Sequence, residues 1–156
     1  MVLAMSGLAI ALALVELFLR TTGFSFPSFY RADEIAAHSF RPTVEGWFRE
    51  EGEAYVQINR DGWRDRLHTK QKPAEVKRIA VLGDSFASAL HVKSENTFWT
   101  VMERETNKCR IFGRQRIEVM NFGVTGYGTV QELLTLRYRV WQYSPDVIIL
   151  AFLTGN

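Results

Sequence analysis

Residues 78–86 read RIAVLGDSF, a continuous apolar run that leads directly into a polar turn. The run at residues 79–82 has the pattern of a strand that is buried on both faces. Two further apolar runs, at residues 117–122 and 147–152, are predicted to be strands of the same kind. Helical stretches separate the three runs. This order predicts an α/β fold with a parallel sheet and right-handed crossovers.

Two helices are predicted between these strands from spacing and capping signals. The first covers residues 96–105. The second begins at Thr129, where Glu132 three residues later completes a capping box, and it ends before Pro145 and Asp146. The side chains expected on the buried face of this second helix are Val130, Leu133, Leu134 and Trp141.

The composition excludes several classes of protein. In 156 residues, 19 lysines and arginines against 17 aspartates and glutamates give a net charge of +2, so we expect no nucleic-acid partner. The single cysteine, Cys109, excludes an internal disulfide framework and an all-cysteine zinc site. No cluster of ligand residues argues for a metal, and we expect no cofactor.

The first segment, residues 2–19, is apolar apart from Ser6, Gly7 and Glu16. A membrane-spanning helix needs about 20 such residues, with about 17 as the lower limit. We interpret the segment as an uncleaved membrane anchor, with a cleaved signal peptide and a buried core helix as alternatives. Because no basic residue precedes the run and Arg20 follows it, we expect an upstream extension that carries the missing basic residues.

Between the anchor and the first strand, the sequence predicts little regular structure. Residues 21–37 are interpreted as a linker that leaves the membrane, and residues 69–77 as a second linker. Residues 55–59 alternate as a short strand, and the Asp61–Gly62 pair that follows predicts the turn of a small hairpin. The chain is thus divided into an anchor at 1–20, a linker and lead-in region at 21–77, and a sheet domain at 78–156.

Polar turns that contain glycine follow each predicted strand. They are residues 83–86, residues 121–129 and residues 154–156. The carboxyl ends of parallel strands meet at one edge of a sheet, where ligands bind. A serine on a tight turn presents its hydroxyl, a glycine lets a backbone N–H approach a substrate, and an asparagine amide can donate to an oxyanion. Together the three turns predict a catalytic site more strongly than any one of them.

These turns resemble the conserved blocks of the SGNH/GDSL hydrolases. Residues 78–86 resemble the first block, with Phe86 in place of the usual leucine. Residues 121–126, NFGVTG, resemble the second block, and residues 147–156 resemble the third. Residues 59–65, NRDGWRD, are similar to a lead-in of membrane-anchored bacterial members. The resemblance covers about half of the chain.

The resemblance implies a fold and a mechanism. The fold is a three-layer α/β/α, flavodoxin-like parallel sheet, present here in part. Ser85 would attack an ester carbonyl, and the tetrahedral oxyanion would be held by the N–H groups of Ser85 and Gly126 and by the Asn156 side chain. Asp84 is expected to organise the turn. The substrate would be a small-molecule or glycan acyl ester of the cell envelope or extracellular space, with the anchor holding the domain on the outer side of a membrane.

The general base that a serine nucleophile requires is not evident. The family takes it from a D-x-x-H block that follows the third block, and the sequence ends at Asn156. His68 stands in a D-x-x-H spacing with Asp65 but precedes the nucleophile, and His91 is interpreted as part of a loop or helix. His38 is interpreted as a solvated linker histidine. We therefore expect a truncated member of the family, inactive or nearly so.

Two other functions remain open from the residues alone. Gly123, Gly126 and Gly128 lie between a strand and a helix, as in nucleotide-binding loops, although their order is G-x-x-G-x-G. A membrane-tethered carbohydrate-binding relative would use tryptophans for sugar stacking, and the sequence offers Trp47, Trp63, Trp99 and Trp141. Of these, Trp99 and Trp141 are interpreted as core residues of helix faces.

Overall fold

The computed structural model describes residues 2–22, 27–109, 113 and 115–152. Four helices and seven strands are found among these residues. The helices are α1 (Val2–Thr21), the single turn α2 (Ser85–Ser88), α3 (Phe98–Cys109) and α4 (Thr129–Tyr138). The strands are β1 (Tyr30–Asp33), β2 (Ala37–Phe40), β3 (Glu45–Phe48), β4 (Ala54–Gln57), β5 (Val76–Gly83), β6 (Arg116–Asn121) and β7 (Val147–Ala151). Short 3₁₀ turns lie at Ser94–Asn96 and Val140–Tyr143.

A parallel sheet of three strands forms the centre of the α/β part, as the apolar runs predict. Its order is β6-β5-β7, so the strand before Ser85 lies in the middle. Ile79 is in register with Val119 on one side and with Val147 on the other. Because β5 has neighbours on both sides and is covered on both faces, nearly all of its residues are buried.

Each face of the sheet carries its own apolar cluster, because successive side chains of a strand point to opposite faces. Ile79 and Val81 pack with Trp99 of α3 on one face. Ala80 and Leu82 pack with Val140 and Tyr143, which follow α4, on the other. The sheet is therefore covered by helical segments on both faces, and the lead-in residues Phe29, Phe40, Val56, Ile58 and Trp63 join the second cluster.

Two antiparallel hairpins, β1–β2 and β3–β4, form the lead-in region. β1 lies inside the stretch expected to be a linker, at residues 21–37. The strand expected at residues 55–59 is present as β4, but its partner is the preceding β3, so the hairpin predicted around Asp61–Gly62 is wrong. The Asp61–Gly62 pair does form a turn, in which the Gly62 N–H donates to the Asn59 carbonyl over 3.0 Å.

An ion pair fastens the first hairpin to the end of α4. The Nη2 atom of Arg139 lies 2.7 Å and 2.5 Å from the two carboxylate oxygens of Asp33. Burial alone would raise the pKa of Asp33. The hydrogen bonds from Arg139 and from the N–H groups of Ala36 and Ile35 outweigh burial and hold this pKa well below its usual range. The lead-in is thus tied to the sheet domain by charge as well as by apolar contact.

Helix α4 differs from its prediction in two ways. Of the expected apolar face, Val130 and Leu133 are exposed, as is Trp141 in the 3₁₀ turn that follows, and Leu134 is half-buried. The buried residues of the helix are Glu132 and Thr135, so the expected face is wrong. The predicted capping box of Thr129 and Glu132 is also wrong: the N-cap is Gly128, whose N–H donates to the Gln131 side chain over 3.2 Å. The other tryptophan expected in the core, Trp99, is buried there.

Helix α1 has the length and composition of a membrane span. It has 20 residues and a mean hydropathy of 2.4 over its best window, and none of that window is buried against the described protein. This finding argues against the alternative of a buried core helix. A membrane anchor and a signal sequence near the N-terminus both have this length and composition.

Candidate functional site at the carboxyl edge of the sheet

Ser85 occupies the first position of α2, directly after β5 and Asp84. The Asp84 carboxylate accepts a hydrogen bond from the Phe86 N–H over 2.9 Å, which caps the turn as expected. The turn closes where the Ala89 N–H donates to the Ser85 carbonyl over 2.8 Å. Ser85 is half-buried, and no described residue forms a hydrogen bond with its hydroxyl group. Within the described part of the chain, the Ser85 hydroxyl thus has no hydrogen-bond partner.

Gly126 lies in the turn that follows β6. The Tyr127 N–H donates to the Val124 carbonyl over 3.1 Å, so Thr125 and Gly126 are the central residues of a β-turn. Gly126 has a φ of +80°, the value that the third position of a type II turn requires and that favours glycine. Gly126 is exposed, and no described residue accepts a hydrogen bond from its N–H.

The two turns approach each other closely. A Cβ atom on Gly123 would lie 2.4 Å from the Cβ of Ala87, so only glycine fits against α2 at this point. The Val124 N–H donates to the Gly83 carbonyl over 3.1 Å. The hydroxyl groups of Ser88 and Thr125 form a hydrogen bond of 2.8 Å. The structure thus brings the turns of Ser85 and Gly126 together, as the topology predicts.

The third predicted residue, Asn156, lies outside the described residues.

The prediction that His38 is a solvated linker histidine is wrong. It is half-buried, and its Nε2 atom lies 2.8 Å from the carbonyl oxygen of Thr125. Its ring also makes an edge contact with Tyr127, at 5.2 Å between centroids. His38 therefore touches the Gly126 turn instead of being solvated. No local signal could have placed it there, because the contact joins residues 87 positions apart.

The other two histidines have different surroundings. The ring nitrogens of His68 face the carboxylates of Asp65, at 3.2 Å, and Glu118, at 3.8 Å. His91 lies against the tip of the β3–β4 hairpin, where a Cβ on Gly52 would be 3.0 Å from its carbonyl oxygen. Neither residue forms a hydrogen bond with Ser85 in the described part of the chain, and His68 belongs to a cluster of charges in the lead-in.

The lead-in residues Arg64 and Asp65 form hydrogen bonds with the backbone next to both turns. Arg64 is buried and donates to the carbonyl oxygens of Ser88, over 2.6 Å, and of Ala89 and Val92. Burial lowers the pKa of Arg64 to about 10, which leaves it charged at neutral pH. The Asp65 carboxylate accepts the N–H of Asn121, at the end of β6, over 2.8 Å.

Glu132 is a second residue near the site whose position the sequence did not reveal. It is buried on α4, and its Oε2 atom has no hydrogen-bond partner among the described residues. Burial raises the pKa of Glu132, and the negative charge of Asp84 raises it further. A single glutamate in a helical stretch carries no local signal of such burial.

A cavity of about 400 Å³ lies elsewhere, with Arg64, Arg66, Glu95 and Trp99 in its lining. Its lining includes neither Ser85 nor Gly126. We place the candidate site at the sheet edge because the available hydroxyl and N–H groups are there. Within the described ranges, no group of three or more histidine, cysteine, aspartate or glutamate side chains could hold a metal ion.

Comparison of the chain with protein-family models finds no match, and no curated protein matches it either.

Proposed function

We propose that this protein is a serine-dependent ester hydrolase of the SGNH/GDSL type, with a flavodoxin-like sheet. The proposed nucleophile is the Ser85 hydroxyl. The N–H groups of Ser85 and Gly126 and the Asn156 side chain are the proposed donors to the oxyanion. Loss of one such donor typically lowers turnover by about 10² to 10³.

The observation that carries the proposal is the hydrogen bond of 2.8 Å between Ser88 and Thr125. It joins the turn of Ser85, whose hydroxyl has no hydrogen-bond partner among the described residues, to the turn that bears the exposed Gly126. Both turns leave the carboxyl ends of adjacent parallel strands, where open α/β sheets bind ligands. The strand order, with the Ser85 strand in the centre, is also the order that a flavodoxin-like sheet begins with.

A test of the proposal must supply the base, because none of the three histidines has a hydrogen bond to Ser85 in the described structure. We propose to treat the full chain, in detergent micelles, with an alkyl fluorophosphonate in the presence of imidazole. The Ser85 oxygen attacks phosphorus, fluoride leaves, and imidazole takes the hydroxyl proton. Mass spectrometry of peptides then locates the phosphonate.

We expect the label on Ser85 and its loss in Ser85→Ala. Ser94→Ala is the matched control, since Ser94 is an exposed serine at the start of a 3₁₀ turn outside the site. This variant should be labelled at Ser85 as the wild type is. Equal labelling of wild type and Ser85→Ala, or a label spread over exposed serines, would overturn the proposal.

The proposed location is a membrane surface, with the sheet domain on the extracytoplasmic side and acyl esters of the envelope as substrates. The length and apolar composition of α1 support the membrane part. A fusion of alkaline phosphatase after Thr22 tests the orientation, because this enzyme folds only in an oxidising compartment. An inactive fusion beside an active cytoplasmic reporter at the same position would contradict the proposed side.

A carbohydrate-binding function is a second candidate, favoured by one observation. Trp47 and Tyr55 face each other across the β3–β4 hairpin, with ring centroids 5.6 Å apart, and both are exposed. Aromatic rings of this kind can stack on sugars. Binding of envelope polysaccharide that is lost in Trp47→Ala but kept in Ser85→Ala would favour this function over hydrolysis.

A further inference from the structure

The peptide between Thr125 and Gly126 is the central peptide of its β-turn. Type I and type II turns differ by a flip of this peptide, which exchanges the directions of its C=O and N–H groups. In a trans peptide the two groups point in opposite directions. Whatever fixes the carbonyl of Thr125 therefore also fixes the direction of the Gly126 N–H.

His38 fixes that carbonyl. Its Nε2 atom lies 2.8 Å from the Thr125 oxygen, and because a carbonyl only accepts, Nε2 carries the proton and donates it. The imidazole lies on the carbonyl side of the peptide, so the Gly126 N–H points away from the β1–β2 hairpin. A Cβ on Gly126 would be 3.6 Å from Nε2, which places the ring in contact with the turn.

The imidazole itself is held in place. Tyr30 and Tyr127 make edge contacts with it, at 6.1 Å and 5.2 Å between ring centroids. The Tyr127 hydroxyl donates to the His38 carbonyl over 2.9 Å. These contacts keep the His38 side chain beside the Thr125 carbonyl.

We propose that His38 is a positioning residue for ester hydrolysis: its Nε2–H holds the Thr125–Gly126 peptide in the orientation that presents the Gly126 N–H to the oxyanion. This inference rests on the proposed function, since it concerns the same N–H group. Through His38, the lead-in hairpin would help to orient a group of the site.

Two substitutions of His38 separate the donor from the packing. His38→Phe keeps an aromatic ring between Tyr30 and Tyr127 but has no donor, whereas His38→Gln keeps an N–H donor without the ring. Ser39→Ala is the control, because it removes a hydrogen bond within the same hairpin, from Arg31 over 3.2 Å, and leaves the contacts of His38 unchanged. Should His38→Phe lose its fold, His38→Asn replaces it, since its amide is too short to reach Thr125.

Two measurements are made on the full chain in micelles. The first is the rate of Ser85 labelling by the fluorophosphonate with imidazole. The second is ¹⁵N relaxation dispersion of the Gly126 amide in glycine-labelled protein, which contains only 11 glycines. Dispersion detects exchange between peptide orientations on the microsecond to millisecond timescale, and it needs no chemical activity.

For His38→Phe we expect labelling slowed about 10-fold or more, within the loss expected for removal of a donor, together with new dispersion at Gly126. His38→Gln and Ser39→Ala should label as fast as the wild type and show no new dispersion at Gly126. Wild-type behaviour of His38→Phe would overturn the inference, as would equal slowing of the phenylalanine and glutamine variants. If wild-type Ser85 takes no label, the proposed function fails, and the dispersion alone decides the inference about His38.

Discussion

The hydroxyl groups of Ser88 and Thr125 are hydrogen-bonded over 2.8 Å and thereby join two turns that are 37 residues apart in sequence. Ser88 is fully buried, and its hydroxyl also donates to the Ser85 carbonyl over 3.1 Å. Thr125 is therefore the donor to Ser88, and the chain of hydrogen bonds runs from the Gly126 turn to the residue proposed as nucleophile. Removal of the Thr125 hydroxyl should affect both turns.

Thr125→Val removes this hydroxyl and keeps the shape of the side chain. We expect it to lower the free energy of unfolding by about 1 to 2 kcal/mol, because a partly buried hydrogen bond is lost and the Ser88 oxygen loses its donor. Thr125→Ser keeps the hydroxyl and should cost less than half as much. Urea unfolding followed by tryptophan fluorescence measures both variants, and equal losses would contradict a role for the hydroxyl.

Substitution of Arg64, which contacts the Ser85 turn, is expected to lower the free energy of unfolding more than substitution of Thr125. Its buried guanidinium donates to the carbonyl oxygens of three residues after Ser85. Arg64→Met fills the space but leaves those carbonyls without their donor, at a cost of about 1 to 3 kcal/mol for each unsatisfied group. We expect a total loss above about 3 kcal/mol in urea unfolding, with little rescue by Arg64→Lys, whose ammonium lacks the planar fork.

Arg66 provides the matched control for Arg64. It lies two residues further along, with its side chain 44% exposed and paired to Glu103 over 2.7 Å. Because Arg66 is partly exposed and makes one ion pair, Arg66→Met should lower the unfolding free energy by about 1 kcal/mol, well below the loss for Arg64→Met. Similar losses for the two arginines would mean that the contacts of Arg64 contribute little.

The strands of the sheet could be predicted from the sequence because each is a short apolar run bounded by polar turns. The runs at 79–82, 117–122 and 147–152 correspond to β5, β6 and β7 within a few residues. The apolar face of α4 could not be predicted in the same way, because helical spacing does not reveal which side of a helix contacts the sheet. Val130 and Leu133 face outwards, and the buried side carries Glu132 and Thr135 instead.

Only those residues of the candidate site that stand in a local sequence motif could be predicted. Ser85 and Gly126 stand in turns that sequence motifs mark, and the parallel topology brings those turns together. His38 and Arg64 reach the site through contacts across 87 and 24 positions, and neither stands in a stretch whose periodicity predicts a helix or a strand. Such contacts depend on how the lead-in packs on the sheet, which local patterns do not encode.

Two valines, one in α4 and one just after it, test which residues of this segment pack against the sheet. Val140 is fully buried against the sheet, whereas Val130 is 68% exposed. Val140→Ala should lower the unfolding free energy by about 2 kcal/mol, because two methyl groups leave the core. Val130→Ala should change it by less than about 0.5 kcal/mol. A larger loss at Val130 would support the apolar face that the sequence suggested.

Asp146 supports the start of β5 in a way that depends on pH. Its carboxylate accepts the Arg78 N–H over 2.8 Å and pairs with Lys72 at 2.9 Å and Lys77 at 3.2 Å. Burial alone would raise the pKa of Asp146, but the hydrogen bond from Arg78 and the two lysines outweigh it and lower the pKa to about 2. A carboxyl group whose pKa falls on folding stabilises the folded state only while it is ionised.

In the unfolded chain, Asp146 has the usual aspartate pKa, near 3.9. Above about pH 4 the stabilisation by Asp146 is fully present, and it is lost as the pH falls through about 2. Asp146→Asn keeps a carbonyl oxygen for the Arg78 N–H but no charge. We therefore expect the urea midpoints of wild type and Asp146→Asn to differ most near pH 6 and to converge towards pH 2. At 1 M salt the difference at pH 6 should shrink, because the lysine pairs are screened and the Arg78 hydrogen bond is not. A difference that stays constant from pH 6 to pH 2 would show that the charge of Asp146 does not stabilise the fold.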